Sequence, residues 1–568
     1  MKLGRINKKK SWINLSIGIA SIFLINYVAF HVFDRFDLTS EKRYSLSGAT
    51  KNLVSNLEDV VFVRIYLEGD LPAGLENLKN RTKETLDELR AYSNEMIEYE
   101  FINPSEDPDE KVRNEIYKTL TKKGLQYTNI ELRKGDKYSE QIIFPGAIFT
   151  FQGKEVPLQL LKSQMGASPE QMLNVSEQQL EYEIASAIKK LTRKKREKIA
   201  FITNHGELED IEVADISNTL NEFYSVERIS INGQLNSLKD FDVAVVAKPD
   251  TNINEKDKFI LDQFIMKGGS VLWLLDNVFA SMDSLNNTST TMGIPVSNNL
   301  EDMLFKYGVR INTNLLLDLQ ALPIPIVTGY MGNQPKQDFF PWYYFPLIMP
   351  NSNHPIVNNL DAIKTEFVSS IDTVGGKGIK KTILLATSEY SKALMTPVRI
   401  SLNLLREAPD ERQYNKGNQP IAVLLEGEFN SIFANRVPPE ISNNQNIDFK
   451  EKSSPTKQIV VSDGDIIRNH VNYQKEIYYP LGYDKYTERQ YGNKDFILNA
   501  INYLCDDNGL IEARSKEFKI RLLDNQEIEK KSAKWQFINI ATPIALILLL
   551  GLIQFFWRKK LYIKNEKI

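Results

Sequence analysis

The chain has 568 residues, enough for roughly three or four domains at ~100–200 residues each. Its formal net charge of −3 gives no basis for a nucleic-acid partner, and 42% apolar with 25% charged residues supports packed cores rather than disorder. The single cysteine, Cys505, excludes an intrachain disulfide and reads as a small buried apolar residue rather than a reactive thiol.

Lys2, Arg5, Lys8, Lys9 and Lys10 precede Trp12–Phe33, a run of 22 residues without Asp, Glu, Lys or Arg. That length lets a helix cross a bilayer. The run ends AFHVFDRF, a poor cleavage site, so an uncleaved anchor is expected. Val60–Leu67 reads as a strand. Leu75, Leu78, Thr82, Leu86, Leu89, Tyr92 and Met96 recur at helical spacing. Ile97–Ile102 is a second strand, and Glu110–Lys122 a helix stopped by Gly124. Two extended stretches, Asn129–Lys134 and Glu140–Phe151, follow around Gly135-Asp136. The order β-α-β-α-β-β matches a thioredoxin-like layer, and without Cys-x-x-Cys it can do no redox work. Lys162–Glu170 reads as a boundary.

Ser176–Lys195 predicts a helix with Leu180, Ile184, Ile188 and Leu191 on one face. The buried strand Ile199–Ile202 then runs into Thr203, Asn204, His205, Gly206, Glu207, Glu209 and Asp210. A helix over Val213–Phe223, a strand at Val226–Ile229 and a buried strand at Asp242–Ala247 come next. A helix over Glu255–Lys267 precedes the buried strand Ser270–Leu275, which runs into Asp276. This alternation argues a parallel, doubly wound sheet, whose carboxyl edge is where such folds bind ligands. Thr382–Ala386, Ile421–Glu426 and Gln458–Val461 are expected to extend it, in no order the sequence gives. Lys494–Cys505 reads as a helix. Ser281–Asn299 and Asn435–Pro455 read as solvated loops. Leu322–Pro355 is rich in proline and aromatics. It reads as an irregular segment packed over the sheet, or as a partner-facing patch of Phe339, Phe340, Trp342, Tyr343, Tyr344 and Phe345.

A second uncharged run, Trp535–Trp557, carries tryptophan at both edges and is followed at once by Arg558, Lys559 and Lys560. Lys530, Lys531 and Lys534 on its other side are diluted by Glu527 and Glu529. The positive-inside rule then puts both termini in the cytoplasm and Asp34–Lys534 outside. The expected layout is a tail over 1–11, a span over 12–33 and a thioredoxin-like domain over 34–165. A doubly wound domain over 166–515, a membrane-proximal segment over 516–534, a span over 535–557 and a tail over 558–568 complete it. No GxxxxGK[ST] occurs, so nucleotide energy must come from another chain.

Candidate chemistry is sparse. His205, Glu207 and Glu209 could ligate a metal, but neighbours two apart on a loop fit no strong zinc spacing. Asp463 and Asp465, after Ile459–Val461, could pair for acid–base work or hold a cation; Asp-Gly-Asp is more often a turn. Asp276 more often caps a turn. No Gly-x-Ser-x-Gly elbow is present, and Cys505 is far in sequence from His205. The sheet edge is expected, without a coherent catalytic set, and no cofactor is indicated.

Several motifs together carry a resemblance. They are RYSLS (Arg43–Ser47), FITNHGE (Phe201–Glu207), GGSVLWLLD (Gly268–Asp276), NQPKQDFFPWYYFP (Asn333–Pro346), HPIVNNLD (His354–Asp361), SDGDIIRN (Ser462–Asn469) and LGYDKYT with YGNKDFILNAINYL (Leu481–Leu504). They resemble the gliding-associated ABC-transporter auxiliary component GldG of gliding Bacteroidetes and their relatives. The resemblance implies a non-enzymatic inner-membrane subunit with a periplasmic body, no catalytic residues and a glutamine-amidotransferase-like large domain. It implies a permease partner, GldF, through it a cytoplasmic ATPase, GldA, and a role in gliding motility and linked protein secretion. A homo-oligomer stays open. Competing readings are a solute or glycan receptor, or a membrane-anchored hydrolase, using the edge near His205.

Overall fold

The computed structural model describes residues 8–31, 45–134, 137–162, 168–193, 196–437, 447–506, 509 and 525–564. It divides into two units, Met1–Lys516 and Glu517–Ile568. The first is mixed α/β and holds two main sheets.

The smaller sheet comprises β1 (Val61–Ile65), β2 (Ile97–Phe101), β3 (Gly146–Phe151) and β4 (Lys154–Gln159), in the order β2-β1-β3-β4. β1 and β2 are parallel, and the other pairings are antiparallel. Val61, Val63 and Ile65 alternate into a core with Leu75, Leu78, Leu86 and Leu89 of the helix Ala73–Tyr92. The helix Pro169–Thr192 adds Leu180, Ile184, Ile188 and Leu191 to that core. It starts earlier than its apolar face suggests because Ser168 and Gln171 form a capping box and Pro169 suits the first turn. The stretch expected over Glu140–Phe151 is broken at Phe144-Pro145. Its first part belongs to a separate hairpin, Thr128–Lys134 with Lys137–Ile143, and its second is β3. Gly135-Asp136 lie outside the described residues.

The larger sheet contains β5 (Lys198–Thr203), β6 (Ser225–Ser230), β7 (Val243–Ala247), β8 (Ser270–Leu274), β9 (Lys380–Ala386), β10 (Pro420–Gly427) and β11 (Thr456–Val461). Their order is β9-β10-β11-β8-β7-β5-β6. The pairings among β6, β5, β7, β8 and β11 are parallel, and β10 runs against both neighbours. The sheet is therefore mixed, not wholly parallel: the three late runs do extend it, but β10 enters as an antiparallel neighbour that needs no crossover helix. Side-chain alternation feeds two cores. Ile199 and Phe201 pack with Ile216, Leu220, Phe496, Ile497 and Ile501 on one face. Ala200 and Ile202 pack with Ile260, Leu261, Ile265, Met303 and Tyr307 on the other. Burial on both faces is why β7 and β8 are continuous apolar runs.

Between β8 and β10 the chain builds further β structure. Ser281–Asn299 contains the helix Asp283–Asn287 and the strand Thr290–Pro295. Leu322–Pro355 is not irregular. Ala321–Met331 and Gln334–Ile348 form one long hairpin, in which Pro323 pairs with Pro341 and Pro325 with Phe339. Proline is tolerated because Ala321–Met331 is an edge strand, and Gln334–Ile348 gains a second neighbour, Ile363–Lys364, only at Leu347 and Ile348. Of Asn435–Pro455, residues 438–446 lie outside the described residues.

The second unit carries the helix Asn525–Lys564. Its segment Gln536–Trp557 is, among the described residues, the one helix long and apolar enough to cross a membrane by length and composition. The helix Lys8–His31 carries a shorter apolar stretch, Leu15–Leu24.

Candidate functional site at the carboxyl edge of the large sheet

Strand order reverses about β5, with β6 on one side and β7 on the other. Such a reversal opens the crevice where sheets of this kind bind ligands. His205 follows β5, Lys248 follows β7, Asp276 follows β8, and Asp463 and Asp465 follow β11. The sequence-derived residues do gather at one edge, but in two separate clusters.

In the first, His205 lies between two carboxylates. Its Nδ1 is 3.0 Å from Glu207 Oε1 and its Nε2 3.0 Å from Asp257 Oδ2. The three side chains are 3%, 1% and 0% exposed, which seals the group from solvent. The backbone folds around it tightly. Asp250 and Thr251 both donate their N–H to the His205 carbonyl at 3.0 Å. Gly206 has φ +76, and a Cβ there would fall 1.4 Å from Asp250 Oδ1, so only glycine fits. Asp257 also accepts from Gly233 N at 2.6 Å and Asn254 Nδ2 at 2.7 Å. Burial alone would lower the His205 pKa, but hydrogen bonds to Glu207 and Asp257, with their charges, raise it overall. In its protonated form the ring donates from both nitrogens and has no lone pair left to act as a base.

In the second cluster Lys248 spans two strand ends. Its Nζ lies 3.3 Å from Asp276 Oδ2 and forms a close ion pair with Asp465 Oδ2. Gly464 N donates to Asp276 Oδ1 at 2.6 Å, and Asp465 N donates to Asp463 Oδ1 at 2.8 Å. Glu366 N donates to Asp463 Oδ2 at 3.1 Å. Arg468 joins Asp465 at 3.3 Å to Glu212 at 2.7 Å, and Glu212 also accepts from Tyr473. Gly464 must be glycine here too, since a Cβ would meet Lys248 Cβ at 2.6 Å. Burial raises the Asp276 pKa to about 6 against the pull of Lys248. Burial, then the charges of Asp465 and Asp276, push Asp463 well above the carboxylate range. Burial also opposes ionisation of Asp465, but Lys248 and Arg468 outweigh it and hold that carboxyl low. Asp463 and Asp465 thus form neither a free acid–base pair nor an open cation site: a lysine ammonium already occupies the position between the strand ends. Among the described residues, no group of three or more His, Cys, Asp and Glu is placed to hold a metal ion.

Sequence reasoning missed Lys248, Asp257, Glu212 and Arg468. Lys248 was findable by the logic that singled out Asp276, since each follows a buried strand directly. Asp257 carried only a helix-start signal, Asn254-x-x-Asp257, where Asn254 caps the helix Glu255–Met266. Glu209 does not join His205; its N–H donates to Glu212 at 2.9 Å. Cys505 is buried and its thiol is pushed up by burial, as an inert residue would be.

The aromatic run splits. Trp342, Tyr343, Tyr344 and Phe345 are buried in the cluster beneath the hairpin, with Tyr343 against Tyr414 and Phe345 against Phe367. These four have no free face for a partner. Phe340 is half-buried, and Phe339, at 55% exposure, remains outside. The physical reason is position along the arm: the base of the strand is covered on both faces, and its tip is not.

Comparison with known proteins places this geometry in context. Residues 196–500 match the family model described as an ABC-type uncharacterized transport system. Residues 40–150 match a model described as a domain of unknown function (DUF7088). An uncharacterized protein of Borreliella burgdorferi is 22% identical over 575 aligned positions, covering 98% of this chain and 99% of that one. Among solved structures, the mmIFT52 N-terminal domain aligns over 55% of this chain and 98% of that one, with 13% identity and a TM-score of 0.30.

Proposed function

The chain belongs to the family described as an ABC-type uncharacterized transport system, as an auxiliary component, and from that premise we propose that it is a non-enzymatic subunit working through protein contacts outside the cytoplasm. One observation supports the non-enzymatic part: Lys248 is ion-paired with both Asp276 and Asp465 at the edge where a ligand or cation would sit. Charges paired inside the fold are committed to holding strand ends together. His205, clamped by Glu207 and Asp257, is committed in the same way.

The finer reading is an inner-membrane protein with two spans, both termini cytoplasmic and the body periplasmic. The apolar, basic-flanked Gln536–Trp557 supports the C-terminal span, and Trp12–Phe33 with its basic approach supports the other. The smaller sheet is then a thioredoxin-like layer without redox chemistry, and the larger domain a glutamine-amidotransferase-like one. The partner is an ABC permease subunit, coupled to a cytoplasmic ATPase. The motifs around FITNHGE and SDGDIIRN favour the gliding-associated member of the family, with a role in motility and linked secretion.

Affinity purification of the tagged full chain from detergent-solubilised membranes tests this. Recovery of a permease and an ATPase is expected. Recovery of neither, or turnover of a substrate lost on mutating His205, Asp276 or Asp465, overturns it.

A further inference from the structure

A small antiparallel sheet in the β-rich region has a buried inner face and an exposed apolar patch on its outer face. Thr290–Pro295 pairs with Val278–Phe279 on one side and with Val398–Ser401 on the other. Its inner face carries Val278 and Ile400, 2% and 0% exposed, and Gly293, where a Cβ would touch Leu315, Val398 and Val278 at 3.1–3.4 Å. Its outer face carries Phe279, Met292 and Ile294, which are 60%, 45% and 52% exposed. These three are neighbours: Phe279 is paired with Ile294, and Met292 lies two residues along the same strand. Antiparallel sheets with one wet face normally alternate apolar-in and polar-out; here the outer face is polar at its Thr290–Ser401 end but carries three contiguous exposed apolar side chains at the other. A contiguous exposed apolar patch with a polar border marks an interaction surface.

Arg399 states what covers it. It is paired with Met292 across the sheet, so it stands on the same outer face. It is exposed, donates to the Thr290 hydroxyl at 3.3 Å, and pairs with no carboxylate among the described residues. A flat apolar patch bordered by one guanidinium without a carboxylate partner among the described residues complements an amphipathic segment that offers apolar side chains beside a carboxylate. A bilayer is the poorer match: one basic residue contributes only about 1 kcal/mol at an anionic surface.

We infer that the outer face of this sheet, Phe279, Met292 and Ile294 with Arg399 at its margin, docks an acidic amphipathic segment of a partner protein. The inference rests on the auxiliary-subunit reading and names the surface that reading needs. Interface cores of this composition lose most when a central aromatic or the arginine is removed.

The test uses the full chain in its own membranes. Ile294→Cys gives one accessible thiol, since the native Cys505 is buried, and it is labelled with a maleimide-benzophenone. Irradiation is expected to yield an adduct on a transporter subunit, mapped to a peptide containing Asp or Glu. Adding Arg399→Glu should cut that adduct about tenfold, the loss of ~1.4 kcal/mol of docking free energy, while Arg399→Lys retains most of it. All these positions are exposed, so an unchanged melting temperature excludes a folding artefact. No adduct while the permease still co-purifies overturns the inference and leaves the auxiliary role standing. Adducts confined to lipid or to a second copy also overturn it. An Arg399-dependent adduct on an acidic segment of some other protein keeps the docking surface and removes the transporter reading.

Discussion

Lys248 Nζ lies 3.3 Å from Asp276 Oδ2, and the two residues leave adjacent parallel strands, β7 and β8, at the same edge. Lys248 is also one of the few non-glycine residues with positive φ, at 55°. A strained backbone is retained where something over-determines it. Here the ammonium sits between two carboxylates, and Gly464 leaves room for its stem.

Lys248→Met should therefore be costly at neutral pH. It leaves Asp276 without its cation and Asp465 with Arg468 alone, and breaking one side of a fully buried pair typically costs about 3–5 kcal/mol, an upper bound for this partly buried lysine. The loss should be smaller at pH 5, where Asp276, raised by burial to about 6 even beside Lys248, is protonated in parent and variant alike and only one carboxylate is left for the cation to hold. Urea midpoints of the variant and the parent at the two pH values measure this. An equal loss at both would show that Lys248 acts through packing.

His205 gives a slope of the opposite kind. Its folded pKa lies above the ordinary ~6.5, so the folded state holds the proton more tightly than the unfolded chain. Its contribution is complete below about pH 6.5 and fades as pH rises through the folded value. His205→Gln should cost most at pH 6 and progressively less towards pH 9. A difference in denaturation midpoint that stays flat over that range would contradict the double clamp by Glu207 and Asp257.

The aromatic run separates core from surface in one pair of variants. Trp342→Ala removes a fully buried side chain that packs on Tyr344 with ring centres 5.2 Å apart, and should cost about 3–5 kcal/mol. Phe339→Ala, three residues earlier on the same strand but 55% exposed, should change stability by no more than ~0.5 kcal/mol. Calorimetric melting of each variant decides it, and comparable losses would refute the burial described for the arm.

That contrast also shows where the sequence could be read and where it could not. β5, β7 and β8 were legible as IAFI, DVAVVA and SVLWLL because strands buried on both faces leave short continuous apolar runs. Their neighbours in the sheet were not, since β8 pairs with β11, and Leu272 meets Ile459 across a long stretch of intervening chain. FFPWYYF defeated pattern reading because burial changes along a single strand, and no fixed period survives that change. At the candidate site, His205 and Asp276 were visible as polar residues after apolar runs. Their partners Asp257 and Lys248 are supplied by other elements, so the pairing of charges along the edge emerges only when those elements are placed together.

Topology is the remaining expectation, and it follows from length and charge. At 1.5 Å per residue, a helical Gln536–Trp557 of 22 residues spans about 33 Å, close to the ~30 Å of a bilayer core. Arg558, Lys559 and Lys560 follow it at once, and such residues are retained on the cytoplasmic side. An uncleaved helix over Trp12–Phe33, entered from Lys8, Lys9 and Lys10, would start on that same side. The chain between them then has one compartment available to it. A reporter active only outside the cytoplasm should be active when fused after Asp250, in the loop that follows β7, and silent when fused after Ile568. Activity at both positions would mean that the C-terminal helix does not return the chain to the cytoplasm. Silence at both would mean that the N-terminal helix does not export the body, and the periplasmic contacts proposed for it would have to be abandoned.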